Sequence, residues 1–146
     1  MAMIDSKLEF SDAQTETNGS ASAAIPGTNQ VDMNTMKDAW GTAITNDIGE
    51  GNNGLVFNFQ VATAVEASVI FICRAYSHTT SAIESGTELG QVTFPAASVA
   101  GTRRTLRVPA GTVNRWVGVT YSNTVDDWAT AAFDAWLGLD TETPST

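Results

Sequence analysis

The chain has 146 residues, 16 Asp and Glu against 7 Lys and Arg, a formal net charge of −9 and a single cysteine. That length suits one domain able to bury its own core without a metal or disulfide scaffold, and one cysteine excludes an internal disulfide. The acidic balance argues against a nucleic-acid partner. No apolar run has the length of a signal-peptide core or a membrane span, so we expect no membrane partner and folding in the cytosol.

Residues 1–34 read as N-terminal strands or an extended arm, with Leu8 and Phe10 pointing one way and Lys7 and Glu9 the other. Asn18-Gly19-Ser20 and Pro26-Gly27-Thr28 read as turns. The stretch Asn34 to Ile44 predicts a short helical turn, N-capped by Asn34 or Thr35, with Met36, Ala39 and Trp40 on one side. A Gly-rich segment, Gly49 to Gly54, then leads into the clearest half-buried strand. There Leu55, Phe57, Phe59 and Val61 share a face, opposite Asn58 and Gln60.

The strand predicted from Ala67 to Tyr76 is apolar on both sides. Val69, Phe71, Cys73 and Ala75 form one face, and Ile70 and Ile72 make the other apolar as well. Such a strand needs cover on both sides, from a folded-over arm or a neighbouring subunit. Val92 and Phe94 end another strand at Pro95, and Leu106 and Val108 face inward in a short one, which turns Thr105 and Arg107 outward. From Arg115 to Tyr121, Val117, Val119 and Tyr121 oppose Trp116, Gly118 and Thr120. The last strand sets Phe133, Ala135, Leu137 and Leu139 against Asp134, Trp136, Gly138 and Asp140, before a polar tail, 141–146, expected to fray. Short strands at near-regular spacing predict an all-β protein, a single antiparallel β-sandwich domain over 1–146.

No segment is arranged for catalysis. His78, the only histidine, stands in Ser77-His78-Thr79-Thr80 without a nucleophile elbow beside it and reads as a turn residue. Cys73 reads as a small buried filler. Asp47, Glu50, Asn52 and Asn53, with Asp126-Asp127, could supply oxygen ligands to a structural cation, but the spacing is not that of an EF-hand and ordinary turn chemistry explains them. We therefore expect no enzyme, no cofactor and no metal.

The candidate interface residues are of two kinds. Arg103, Arg104, Arg107 and Arg115 form the only basic concentration, either a contact with an acidic patch on a partner or a solvated face. Trp116 and Trp136 are out of phase with the apolar faces of their strands, as Ile70 and Ile72 are with theirs, and exposed aromatics mark interfaces. Trp40 joins them. A row of Trp40, Trp116, Trp128 and Trp136 on one open face would instead suit a carbohydrate-binding module, and a small hydrolase would need His78 bonded to a carboxylate in a cleft.

Three segments resemble one family. Leu8-Glu9-Phe10-Ser11-Asp12-Ala13-Gln14 is similar to its opening, and Asp47-Ile48-Gly49-Glu50-Gly51 is similar to the Gly-rich approach to its first long strand. Val99-Ala100-Gly101, Leu106-Arg107-Val108-Pro109-Ala110-Gly111 and Arg115-Trp116-Val117-Gly118-Val119-Thr120-Tyr121 resemble its late pattern, and Ala-Phe-Asp-Ala-Trp-Leu its closing strand. The family is the capsid cement (decoration) proteins of tailed bacteriophages of the Bbp16 type. Trp116 stands where its pattern has Tyr, and Asn34 to Thr45 is longer than its usual connection.

The resemblance implies a jelly-roll sandwich on the virion, at the outer surface of the capsid, where it bridges neighbouring capsomers. The partners it implies are a major capsid protein of HK97-like fold and further copies of the chain, a homotrimer favoured over a homodimer. A carbohydrate-binding β-sandwich on the virion surface is the alternative.

Overall fold

The computed structural model describes residues 8–15, 24–35, 55–107, 113–124 and 130–139. Among them are nine strands: β1 (Glu9–Gln14), β2 (Ile25–Pro26), β3 (Val31–Asp32), β4 (Leu55–Thr63), β5 (Phe71–His78), β6 (Thr87–Phe94), β7 (Arg103–Leu106), β8 (Trp116–Asn123) and β9 (Ala132–Leu139). Two 3₁₀ turns, Met33–Thr35 and Ile83–Ser85, accompany them. One sheet has the order β1-β9-β4-β7, the other β2-β8-β5-β6 with β3 also on β8. Every pairing is antiparallel. β2 and β3 are two pieces of one interrupted strand, since Ile25 lies opposite Tyr121 and Val31 opposite Val117. Counted as one, they complete two four-stranded sheets, and the chain passes from one to the other at every step except β5 to β6, the jelly-roll order that the resemblance led us to expect.

Period-two alternation explains the core. Phe57, Phe59 and Val61 of β4, Phe71, Cys73 and Ala75 of β5, Val117, Val119 and Tyr121 of β8, and Phe133, Ala135 and Leu137 of β9 all point between the sheets and are buried. Phe133 is the hub. Its ring lies 4.9 Å from Phe71, 5.4 Å from Phe94 and 5.7 Å from Tyr121, centroid to centroid. Phe10 stacks on Phe57 at 5.4 Å. Burying each such side chain stabilises the fold by roughly 1.5–3 kcal/mol.

The described part of the N-terminal segment supplies an edge strand to each sheet. β1 flanks β9, while β2 and β3 flank β8. The link between β2 and β3 passes very close to both sheets. The Gly27 N–H donates to the Val119 carbonyl at 2.8 Å, and a Cβ there would stand 2.8 Å from Val119 Cγ2 and 3.1 Å from the Phe10 carbonyl oxygen. Only glycine fits that approach. The side-chain amide of Gln14 stitches the same corner, donating to the Pro26 carbonyl at 3.0 Å and accepting from the Thr28 N–H at 3.0 Å.

Three expectations need correction. The helical turn begins at Met33, which is fully buried, and Asp32 caps it by accepting from the Asn34 N–H at 3.1 Å. The rest of the predicted turn, with Trp40, lies outside the described residues. The two-faced strand runs from Phe71 to His78, so Ile70 precedes it and is 41% exposed, whereas Ile72 is half-buried on the sheet's outer face. Cover for part of that face comes from within the chain. Ile83, wholly buried in its 3₁₀ turn, packs on the face at Gly118, where a Cβ would meet Ile83 Cγ1 at 2.8 Å.

Candidate docking surface

The arginines and tryptophans do not form one patch. Arg103 lies on β7, opposite Gln60 of β4, and points to the outer face of its sheet. Its Nη2 and Nε donate to Asn58 Oδ1 at 2.6 and 3.2 Å, and its guanidinium carbon sits 4.8 Å from the centroid of Trp136. Asn58 and Trp136 are cross-strand neighbours. Trp136 is thus out of phase with its strand, as read from the sequence, yet only 7% exposed, because Arg103 and Asn58 help roof it. The expectation of an open indole there is corrected by that roof.

Arg115 belongs to the opposite edge of the sandwich, beside β3. Its Nε and Nη2 donate to the two carboxylate oxygens of Asp32 at 3.0 and 2.8 Å, a two-pronged pair, and its guanidinium carbon lies 5.4 Å from the Trp116 ring. The hydrogen bonds from Arg115 hold the Asp32 carboxyl below its ordinary range. Trp116 is half-buried on the outer face of the β8 sheet, so it and Trp136 face away from each other on different sheets. These two do not share one sugar-binding platform. Trp128 and Trp40 lie outside the described residues.

Arg104 is exposed at the β7 edge, its guanidinium carbon 5.8 Å from the Phe94 ring, and Arg107 is exposed just beyond the strand. These two are the exposed arginines of the group on that side.

Sequence reasoning passed over the end of the sandwich where β4 turns into β5 and β6 into β7. The connecting loops, 64–70 and 95–102, are tied to each other and to the sheet. The Val65 N–H donates to the Ser98 carbonyl at 2.8 Å, the Ala97 N–H to the Glu66 carbonyl at 3.0 Å and the Gly101 N–H to the Val61 carbonyl at 2.8 Å. Ser98 Oγ closes the second loop on the Pro95 carbonyl at 2.6 Å.

This fixed surface is small-residued and apolar. Val99 is 66% exposed and Ile70 41%, with Ala64, Ala67, Ala97 and Ala100 exposed around them. The loops carry one charge, Glu66, and its carboxylate accepts from the Thr130 hydroxyl at 3.0 Å. Among the described residues of these two loops, on a chain of net charge −9, that is the one charge. Ala97 holds a left-handed backbone, φ 60°, costly for a residue with a Cβ. The available signal was the run Pro95 to Gly101, uncharged over seven residues, which reads as a plain turn until its loop is seen beside 64–70.

The residues weighed for chemistry fall elsewhere. His78 Nδ1 accepts from the Thr80 N–H at 2.9 Å and lies 2.7 Å from the Thr80 hydroxyl, so the nitrogen that a catalytic carboxylate would orient is engaged in its own turn. Cys73 is fully buried, and that burial pushes its thiol well above the usual range, the reverse of an activated nucleophile. Among the described residues no three His, Cys, Asp or Glu side chains form a set that could hold a metal ion. The loop of Asp47, Glu50, Asn52 and Asn53, and Asp126-Asp127, lie outside the described residues.

No family model matches the chain, and no curated protein matches it. The docking surface therefore stands on geometry. It is a platform fixed by backbone hydrogen bonds that exposes Val99 and Ile70, suited to a protein surface rather than to a charged small molecule.

Proposed function

We propose that this chain is a capsid cement protein of a tailed bacteriophage, which binds the outer surface of an HK97-like shell and bridges neighbouring capsomers. The observation that supports this reading is the pair of hydrogen-bonded loops, 64–70 and 95–102, that hold Val99 and Ile70 exposed. The jelly-roll order and the sequence resemblance set out above agree with it.

Leaving a side chain as large as Val99 two-thirds in water forgoes the roughly 25 cal/mol per Å² that covering it would return. Loops already fixed by backbone hydrogen bonds lose little further freedom on docking, so more of that gain appears as affinity. A brace of this kind stabilises a shell by binding the assembled lattice better than its free parts. Modest contacts repeated across a particle then act together through high local concentration. Arg104 and Arg107 add a positive rim, on the β7 side, for an acidic patch of the shell.

The test is co-sedimentation of the purified protein with expanded shells that lack it. Saturable binding that falls at least tenfold in Val99→Asp/Ile70→Asp, with folding intact by circular dichroism, is the expected result. Failure of the unaltered protein to bind shells overturns the reading, and sugar-dependent quenching of tryptophan fluorescence in its place would assign the chain to the carbohydrate-binding alternative.

A further inference from the structure

The outer face of the β2-β8-β5-β6 sheet carries a second set of polar side chains, placed by strand register and separate from the loop end. At its centre Arg74 of β5 lies opposite Thr120 of β8 on one side and Gln91 of β6 on the other. One row along, Ile72 lies between Ser122 and Thr93. One row the other way, Tyr76 lies opposite Glu88. Directly paired side chains share a face, about 5 Å apart across the strands and about 7 Å apart along them. Side chains mounted on paired strands are positioned before anything binds.

The hydrogen bonding of this set is incomplete. Arg74 Nη1 donates to Ser122 Oγ at 2.5 Å. Arg74 Nε, however, stands 3.6 Å from Glu88 Oε2, and the Tyr76 hydroxyl 3.5 Å from the same oxygen, both long contacts. Glu88 is thus loosely held, with its side chain 41% exposed. Gln91 and Thr93 are exposed beside it. Thr120 is fully buried, and its hydroxyl has no hydrogen-bond partner among the described residues. An unpaired buried hydroxyl is costly, and a ligand that completes the local bonding recovers part of that cost.

We infer that this face binds a neutral glycan, laid across β8, β5 and β6. The two charges at its centre select the class. Arg74 disfavours a cation and Glu88 an anion, and together they leave the array close to neutral. Around them stand hydroxyls and a primary amide, groups that both donate and accept, as sugar hydroxyls do. Arg74, Glu88 and Gln91 each end in a planar group with two polar atoms side by side, a geometry that matches neighbouring hydroxyls on a sugar ring. Ile72 and Tyr76, half-buried on either side of Arg74 along β5, supply apolar surface for the C–H face of such a ring. A wholly apolar partner would instead strand both charges away from water.

This inference is independent of the shell-binding reading, and its test contains no shells. The nitrogen-15-labelled full chain is titrated with dextran, mannan and galactan, and with polygalacturonate as an acidic comparison. At least one neutral polysaccharide should shift the backbone amide signals of Arg74, Gln91 and Thr93. Gln91→Ala/Glu88→Gln should weaken that binding at least about tenfold, while Val99→Asp, on the loop end, leaves it unchanged. Circular dichroism and the thermal midpoint check that these exposed substitutions keep the fold. Binding of none of the three neutral polysaccharides overturns the inference. So does binding that the double substitution leaves unmoved, or a preference for polygalacturonate, which would make Arg74 the centre of an anion site.

Discussion

Arg103 lies over the indole of Trp136 at 4.8 Å while donating twice to Asn58 beneath it, so the cation shields both a large aromatic and a buried amide from water. A residue that would pass for a binding arginine in the sequence is spent inside the fold. Arg103→Ala should therefore destabilise the protein by about 1–3 kcal/mol, through loss of the donors to a buried acceptor and of the cation–ring contact. Urea unfolding measures it. Arg107→Ala, at an exposed position, should stay within about 0.5 kcal/mol of the unaltered protein.

Ser11 and Tyr121 join the two sheets through the interior, hydroxyl to hydroxyl at 2.5 Å. Both are almost fully buried, and burial lifts the phenol well above its ordinary range. Each single removal, Ser11→Ala or Tyr121→Phe, should cost about 1–3 kcal/mol, because the remaining hydroxyl loses a buried partner. The double variant should cost less than the sum, with a coupling of about 1 kcal/mol in a double-mutant cycle.

Two carboxylates should give opposite pH signatures. Asp32 titrates below its usual 3.8 because Arg115 donates to its charged form. Its contribution to stability is complete above that value and is lost as pH falls through the lower folded-state pKa. Arg115→Ala should flatten the acid limb of the stability profile below about pH 4.

Glu9 behaves the other way. Burial, and then the nearby charges of Asp12 and Asp134, raise its carboxyl above the usual 4.5. The folded state therefore loses stability as pH rises from there through the raised value. Glu9→Gln should stabilise the protein at pH 7 by a few tenths of a kcal/mol, as expected for a partly exposed group, with the gain vanishing below about pH 4.

Ala97 occupies a conformation that glycine adopts freely. Ala97→Gly should raise stability by about 0.5–1 kcal/mol, measured by thermal unfolding, since relief of the left-handed strain exceeds the added freedom of the unfolded chain.

Much of the fold was legible because its strands alternate cleanly. Phe57, Phe59 and Val61 point inward with Asn58 opposite, and Val117, Val119 and Tyr121 oppose Trp116 as read. The pieces β2 and β3 were not legible. Two residues hold no period, and Pro26-Gly27 carries the signature of a turn even though Ile25 and Pro26 pair with β8. Ile83 was hidden for a similar reason, since Glu84-Ser85-Gly86 marks a break and nothing local shows that the residue before it covers Gly118. The arginines clustered in sequence part in space because β7 and β8 belong to different sheets. Proximity along the chain cannot carry that information.

The placement of the early strands has a consequence for synthesis. Among the described residues, Glu9–Gln14 pairs as a strand with Ala132–Leu139, and residues 25–32 pair with Trp116–Asn123. A ribosome therefore releases both segments long before the strands that they pair with. Each sheet closes at that border only after the closing strands emerge, so this topology favours completion after translation over piecemeal folding during it.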